Sequence, residues 1–248
     1  MYYEKIKNQE PMCIKKLFQK EFYRSNDYSL VFSEMFFNSD WRKRWDYREP
    51  WSGENLTEKG NVIWHPDCVM QSSDGVRLIA NGSVDKNHCG LISSHKFLNF
   101  KFGCLYVTAK MPPKGFTYFP AIWLYDRRGW LPEIDVVELM GKNSRYATFT
   151  HHWSDELDIH RSKGKGVKLP FDLSAGLHVF GIEWTPEKIT WFIDNVVYFE
   201  VTKNIPKVPL FLICNIQSGG DPPFTRLFNQ DEYPEFMTIS SISLFQKP

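Results

Sequence analysis

Glu133, Asp135 and Glu138 put three carboxylates into six consecutive positions of an otherwise apolar, β-prone run, E-I-D-V-V-E. Paired carboxylates can do two jobs at once: one attacks or stabilises a positive carbon, and the other holds a proton as general acid. Clustered acids usually sit on a solvated edge, but these alternate with Ile134, Val136 and Val137, which asks for burial. On a regular strand, Glu133 and Asp135 share a face and Glu138 points the other way. One extra residue at Val136-Val137, accommodated as a β-bulge, returns Glu138 to the shared face. The glutamates then lie about four strand steps apart, roughly 13 Å between backbones at about 3.3 Å per residue. Side chains leaning together close that gap to about 5 Å, the carboxylate separation of retaining glycosidases. Asp135, lying between them, tunes both, because like charges so close cannot all ionise at equal cost.

The rest of the chain supplies strands to carry this segment. In KITWFIDNVVYFEV, Ile189, Trp191 and Ile193 alternate, Asp194-Asn195 makes a turn, and Val197, Phe199 and Val201 resume the pattern. Phe180, Ile182 and Trp184 give another strand of period two, and Leu105, Val107 and Ala109 one more, closed by Met111-Pro112-Pro113. Many short alternating strands and few helical stretches predict an all-β fold, a two-sheet antiparallel sandwich. Residues 28–248 form that one domain, and residues 1–27 an N-terminal extension in which Ile14, Leu17, Phe18 and Phe22 recur at helical spacing. A chain of 248 residues buries enough surface to fold without disulfide or metal staples. Its five cysteines form no CxxC pair and no zinc spacing, so buried free thiols are expected. A formal net charge of +1 gives no general pull toward nucleic acid or anionic membrane, and a monomer is expected. The first residues hold no apolar run long enough for a signal peptide or membrane span, so the polypeptide either is not exported that way or has lost its leader. Nine Trp, eleven Tyr and twenty Phe make the aromatic content an outlier; much of it must be core, and a surplus of flat rings is also what a sugar-binding groove uses for stacking.

The run PAIWLYDRRGWLPEIDVVELMG resembles the signature of glycoside hydrolase family 16, which reads E-x-D-x-E or E-x-D-x-x-E on a strand. GLISSHKFLNFKFGCLYVTAKMPP before it, and LHVFGIEWTPEKITWFIDNVV, LFLICNIQSGG and YPEFMTISSISLF after it, agree in order over roughly residues 28 to 246. The resemblance implies a concanavalin A-like jelly roll with a concave cleft and a polysaccharide substrate. It casts Glu133 as nucleophile, Asp135 as helper and Glu138 as acid/base. The six-residue spacing is similar to that of the laminarinase, agarase, porphyranase and carrageenase branches, whereas the five-residue form belongs to lichenases and xyloglucan-modifying enzymes. The implied reaction is endo-hydrolysis of a β-1,3- or mixed-linkage glucan or a marine-type galactan, with a transglycosylase or a sugar-binding lectin of the same fold as alternatives. A lectin has no need of three carboxylates on one strand.

Substrate-binding candidates follow. Trp123 matches the cleft-floor Trp of the family, Asn215 a substrate-contacting Asn, and His152 a His on the neighbouring strand, with His151 or Trp153 as rivals. Trp51 and Trp130 are candidate stacking platforms. Arg128, beside Arg127, and a second basic loop, HRSKGKGVK, would suit an anionic polymer if they rim the cleft. Laminarinases of this kind carry a Trp soon after the Gly-Gly, where this chain reads SGGDPPF, a departure from simple laminarin specificity. No cofactor is expected. Many relatives bind a structural calcium through an Asp of the last strand, and here that position is Ser240.

Overall fold

The computed structural model describes residues 27–36, 40–47, 58–59, 62–82, 87–113, 118–140, 143–218 and 235–248. The helix expected around residues 14–22, the platform candidate Trp51 and most of the SGGDPPF run lie outside them. In chain order the strands are β1 Ser29–Glu34, β2 Glu58–Lys59, β3 Val62–Trp64, β4 Val69–Ser72, β5 Gly75–Gly82, β6 Asn87–Cys89, β7 Leu91–Ser93, β8 Asn99–Phe100 and β9 Gly103–Lys110. They continue as β10 Tyr118–Tyr125, β11 Glu133–Glu138, β12 Tyr146–Ser154, β13 His160–Lys168, β14 His178–Trp184, β15 Ile189–Ile193, β16 Val196–Val201, β17 Leu210–Ser218 and β18 Glu235–Gln246. One sheet has the order β16-β15-β14-β9-β18-β5-β6-β3-β2, with β1 beside β18 and β4 beside β5. The other has the order β13-β12-β11-β10-β17-β7, with β8 beside β17. The expected two-sheet antiparallel sandwich is therefore present, with β3 and β6 as a parallel pair in the first sheet. No described helix is long and apolar enough to cross a membrane.

Period-two alternation builds the core between the sheets. Leu105, Val107, Phe180, Ile182, Trp184, Ile189, Trp191 and Ile193 of the first sheet are fully buried. They pack in one cluster with Ile122, Leu124, Ile134, Leu212 and Cys214 of the second. The β15–β16 turn has Asp194 and Asn195 both at positive φ, 50° and 66°, the primed turn that suits strand twist. Val197 departs from the inward pattern and is 51% exposed, because the pairing slips between Trp191 and Phe192. The described cysteines, Cys68, Cys89, Cys104 and Cys214, are free and buried.

HRSKGKGVK is not a loop. It forms the exposed edge strand β13, paired residue for residue with β12 from Tyr146↔Lys168 to Ser154↔His160. Backbone pairing and a lysine-bearing edge make the strand without any apolar alternation. Its glycines fit close neighbours, since a Cβ on Gly166 would lie 2.0 Å from Tyr146 Oη.

Candidate active site

The register of β11 resolves where its three acids point. Glu133 pairs with Tyr125 and Glu138 with Ala121, so a five-residue step on β11 spans a four-residue step on β10. On the other side Glu133 faces His152 and Glu138 faces Thr148, again four residues apart. Val136 and Val137 are consecutive, yet both are buried in the core between the sheets. An inserted residue is the way a strand can bury two neighbours in sequence and bring the next one back to the first face. Glu133, Asp135 and Glu138 consequently line one groove of about 480 Å³, within the roughly 300–1,000 Å³ range of ligand sites.

Directly paired residues of an antiparallel sheet share a face, so the groove floor consists of rows running across the strands. One row reads Thr150, Asp135, Trp123, Ile213, and the next reads Thr148, Glu138, Ala121, Asn215. Trp123 Nε1 donates a 2.7 Å hydrogen bond to Oδ1 of Asn215, which is itself buried. That bond fixes the indole and the amide as one unit in the floor. Trp130 is half exposed, and its Nε1 donates to Glu133 Oε2 at 3.0 Å while its ring lies 4.5 Å from that of His160.

Alternation selects His152 over its rivals. His152 stands on the groove face, with Nε2 3.0 Å from Asp135 Oδ2 and Nδ1 2.8 Å from His160 Nε2. His151 points into the core, fully buried, stacked 5.0 Å from Trp153, and neither ring nitrogen has a partner among the described residues. Burial pushes His151 down to about 4, so it stays neutral. Arg128 does not line the groove. It is drawn instead to the buried carboxylate of Asp126, with Nε at 3.1 Å and Nη2 at 2.6 Å. A carboxylate at 3% exposure demands such a partner, and supplying it occupies the guanidinium.

The groove keeps its acids protonated further than water would. Burial, then the neighbouring charge of Asp135, pushes Glu133 up to about 9, against the opposing pull of His152 and Trp130. Burial, then Glu133, pushes Glu138 up to about 7, while a hydrogen bond from Thr150 opposes. Asp135 is raised well above the usual carboxylate range by burial and by Glu138, and its hydrogen bond with Glu133 works against that. Three coupled carboxylates share protons, and their titration belongs to the trio. His152 is lowered by burial, with Glu133 opposing.

Glu133, Asp135 and His152 also bring one ligand atom each within 4.8 Å of one another, a set that could hold a divalent cation. The last-strand position at which the resemblance implies a calcium ligand is Ser240. Ser240 is buried there and offers a neutral hydroxyl where calcium prefers carboxylate oxygen, so it fits that ion poorly.

Sequence reasoning overlooked Phe119, Tyr125, Gln217 and Trp64, which line the groove, and His160, which touches His152 and Trp130. Phe119 and Tyr125 stand two residues to either side of the Ala121-Trp123 pair, and Gln217 two beyond Asn215, so extending the alternation finds them. His160 carried no such signal, since its strand lacks apolar alternation.

A groove floored by aromatic rings, with three carboxylates along one strand, is what the resemblance to glycoside hydrolase family 16 implies. Residues 56–226 match the family described as Glycosyl hydrolases family 16, and the chain belongs to it. It is 30% identical over 133 residues to "Endo-1,3-1,4-beta-glycanase ExsH" of Rhizobium meliloti (strain 1021), covering 53% of this chain and 28% of that protein. To "Beta-glucanase" of Paenibacillus polymyxa it is 27% identical over 191 residues, 74% of either chain. Its fold is that of the laminarinase catalytic domain from Thermotoga maritima MSB8, with a TM-score of 0.75 and 21% identity over 90% of this chain and 99% of that one. The chain spans only 28%, 26% and 45% of the lengths of three curated relatives it matches.

Proposed function

We propose that this chain is a retaining endo-glycosidase that cuts internal β-linkages of a glucan by double displacement. One observation carries the reading: the bulge at Val136-Val137 puts Glu133 and Glu138 on one face of one groove. In the first step a Glu133 oxygen bonds to the anomeric carbon as the glycosidic bond breaks, and Glu138 gives its proton to the leaving oxygen. In the second, water attacks that carbon, Glu138 takes the water's proton, and the bond to Glu133 breaks. Asp135, hydrogen-bonded to Glu133, serves as helper. Burial favours the proton on Glu133, so a bound sugar whose carbon turns positive must shift it toward Glu138. The Trp130 N–H and His152 support the Glu133 charge at that moment.

Glucan is the substrate class supported best. The relatives named above are glycanases and glucanases, and the ion pair that holds Arg128 removes one of the cations an anionic galactan would require. Trp123 and Asn215 serve as floor contacts and Trp130 as a wall. We propose further that the protein acts without a metal cofactor. The test is incubation with laminarin, mixed-linkage glucan, agarose, porphyran and carrageenan, with product sizes and reducing ends measured. Oligosaccharide release from a glucan, lost in Glu133→Gln, supports the reading. Polymer binding without release by the unmodified chain points to the lectin alternative, and products longer than the starting chains point to transglycosylation.

A further inference from the structure

The bulge that brings Glu138 into the groove coincides with a backbone carbonyl bonded outside its own sheet. Asp135 O accepts a 2.8 Å hydrogen bond from Trp191 Nε1. Trp191 lies on β15 of the opposite sheet, fully buried, its ring 4.9 Å from that of Phe199. Ladder carbonyls normally find their donors on a neighbouring strand. This one finds it across the core, where the pairing of β11 slips against β12 and against β10.

We propose that Trp191 is a positioning residue, whose indole N–H holds the Asp135 carbonyl toward the core and so locks the bulge that sets Glu138 beside Glu133. The role in catalysis rests on the glycosidase reading above, whereas the tether itself does not. Trp191 and the two valines that follow Asp135 are buried in the apolar core, so water is a poor substitute donor. Without the indole N–H, the Asp135 carbonyl loses its donor from the core, and nothing on that side opposes rotation of the peptide toward a neighbouring strand. Rotation moves Asp135 and Glu138, the residues on either side of the two valines. Trp184 provides the matched control. It is equally buried, also core-facing, and donates to Pro206 O at 3.2 Å, and its ring neighbours are Phe100 and Phe102.

The experiment compares Trp191→Phe and Trp184→Phe in the full chain, by kcat, KM, pH profile and amide exchange at Val136, Val137 and Glu138. Trp191→Phe is expected to lose roughly tenfold to a hundredfold in kcat, the effect of a catalytic group displaced by about an ångström. Its KM should change little, its pH profile should shift, and exchange at the bulge should accelerate. Trp184→Phe should leave all four near those of the unmodified protein. Normal kcat and exchange in Trp191→Phe, or equal losses in both variants, would overturn the proposal. Should Trp191→Phe not fold, benzothienylalanine at position 191 keeps the ring shape and replaces only the N–H. If the unmodified chain cleaves no polysaccharide, the function reading fails alone. Bulge exchange then decides: acceleration confined to the position-191 variant supports the tether, and its absence refutes it.

Discussion

Glu138→Gln should make the protein more stable at alkaline pH while removing most of its activity. In the folded state burial and Glu133 hold Glu138 at about 7, against 4.5 for the unperturbed group. At about 1.36 kcal/mol per unit, that difference is worth about 3 kcal/mol. The side chain is half-buried and the groove is open to water, so screening brings the figure to about 2 kcal/mol. The folded protein binds this proton more tightly than the unfolded chain, so stability is lost as pH rises from 4.5 through 7 and the penalty is complete above that. Glutamine carries no charge and escapes the penalty, and it can keep the Thr150 contact. For a domain of this size, about 2 kcal/mol moves the unfolding midpoint by about 4–8 °C. Scanning calorimetry at pH 8.5 should show the variant that much more stable, and at pH 4 the two proteins should coincide. Reducing-end assays on a glucan should show activity down by at least about a hundredfold, as for a lost general acid. An unchanged or lower midpoint at pH 8.5, or an equal gain at pH 4, would refute the idea that the groove strains this carboxylate.

Three further outcomes follow from the same geometry. The pH profile of kcat/KM should be bell-shaped and displaced above the ordinary carboxylate range, rising as the pair loses its first proton near pH 7 and falling as it loses the second near pH 9, because the reaction needs Glu133 ionised and one proton for Glu138. An alkaline limb near pH 5 would contradict it. Trp123→Phe deprives the buried Asn215 Oδ1 of its donor, at about 1–3 kcal/mol of stability. It should raise KM more than it lowers kcat, which steady-state kinetics on soluble glucan will show. EDTA treatment should leave both the unfolding midpoint and the activity where they were, and a drop reversed by calcium would show that a metal site exists despite Ser240.

Much of the site was legible because strand periodicity is simple. The bulge was called from the chemistry: on a regular strand glutamates five apart face opposite sides, and a paired-carboxylate reaction needs them on one. Alternation also required that one of His151 and His152 face the groove, and the bond to Asp135 decides for His152. What stayed hidden depended on partners rather than on local pattern. Arg128 looked like a rim cation, but the buried Asp126 claims it across a two-residue separation. The strand β13 was read as a loop because an edge strand held by backbone pairing needs no apolar side chains, and glycines at 164 and 166 suppress its propensity further. Trp191 was correctly placed on a core strand, yet its bond to Asp135 O joins residues 56 apart from opposite sheets, which no sequence window reports.

The anomeric configuration of the first-formed product tests the central claim most directly. Proton NMR of a glucan digest, recorded within the first minutes before mutarotation, should show the β-anomer of the new reducing end appearing first. Early accumulation of the α-anomer would mean inversion by a single displacement, and Glu133 could not then be a covalent nucleophile beside Glu138.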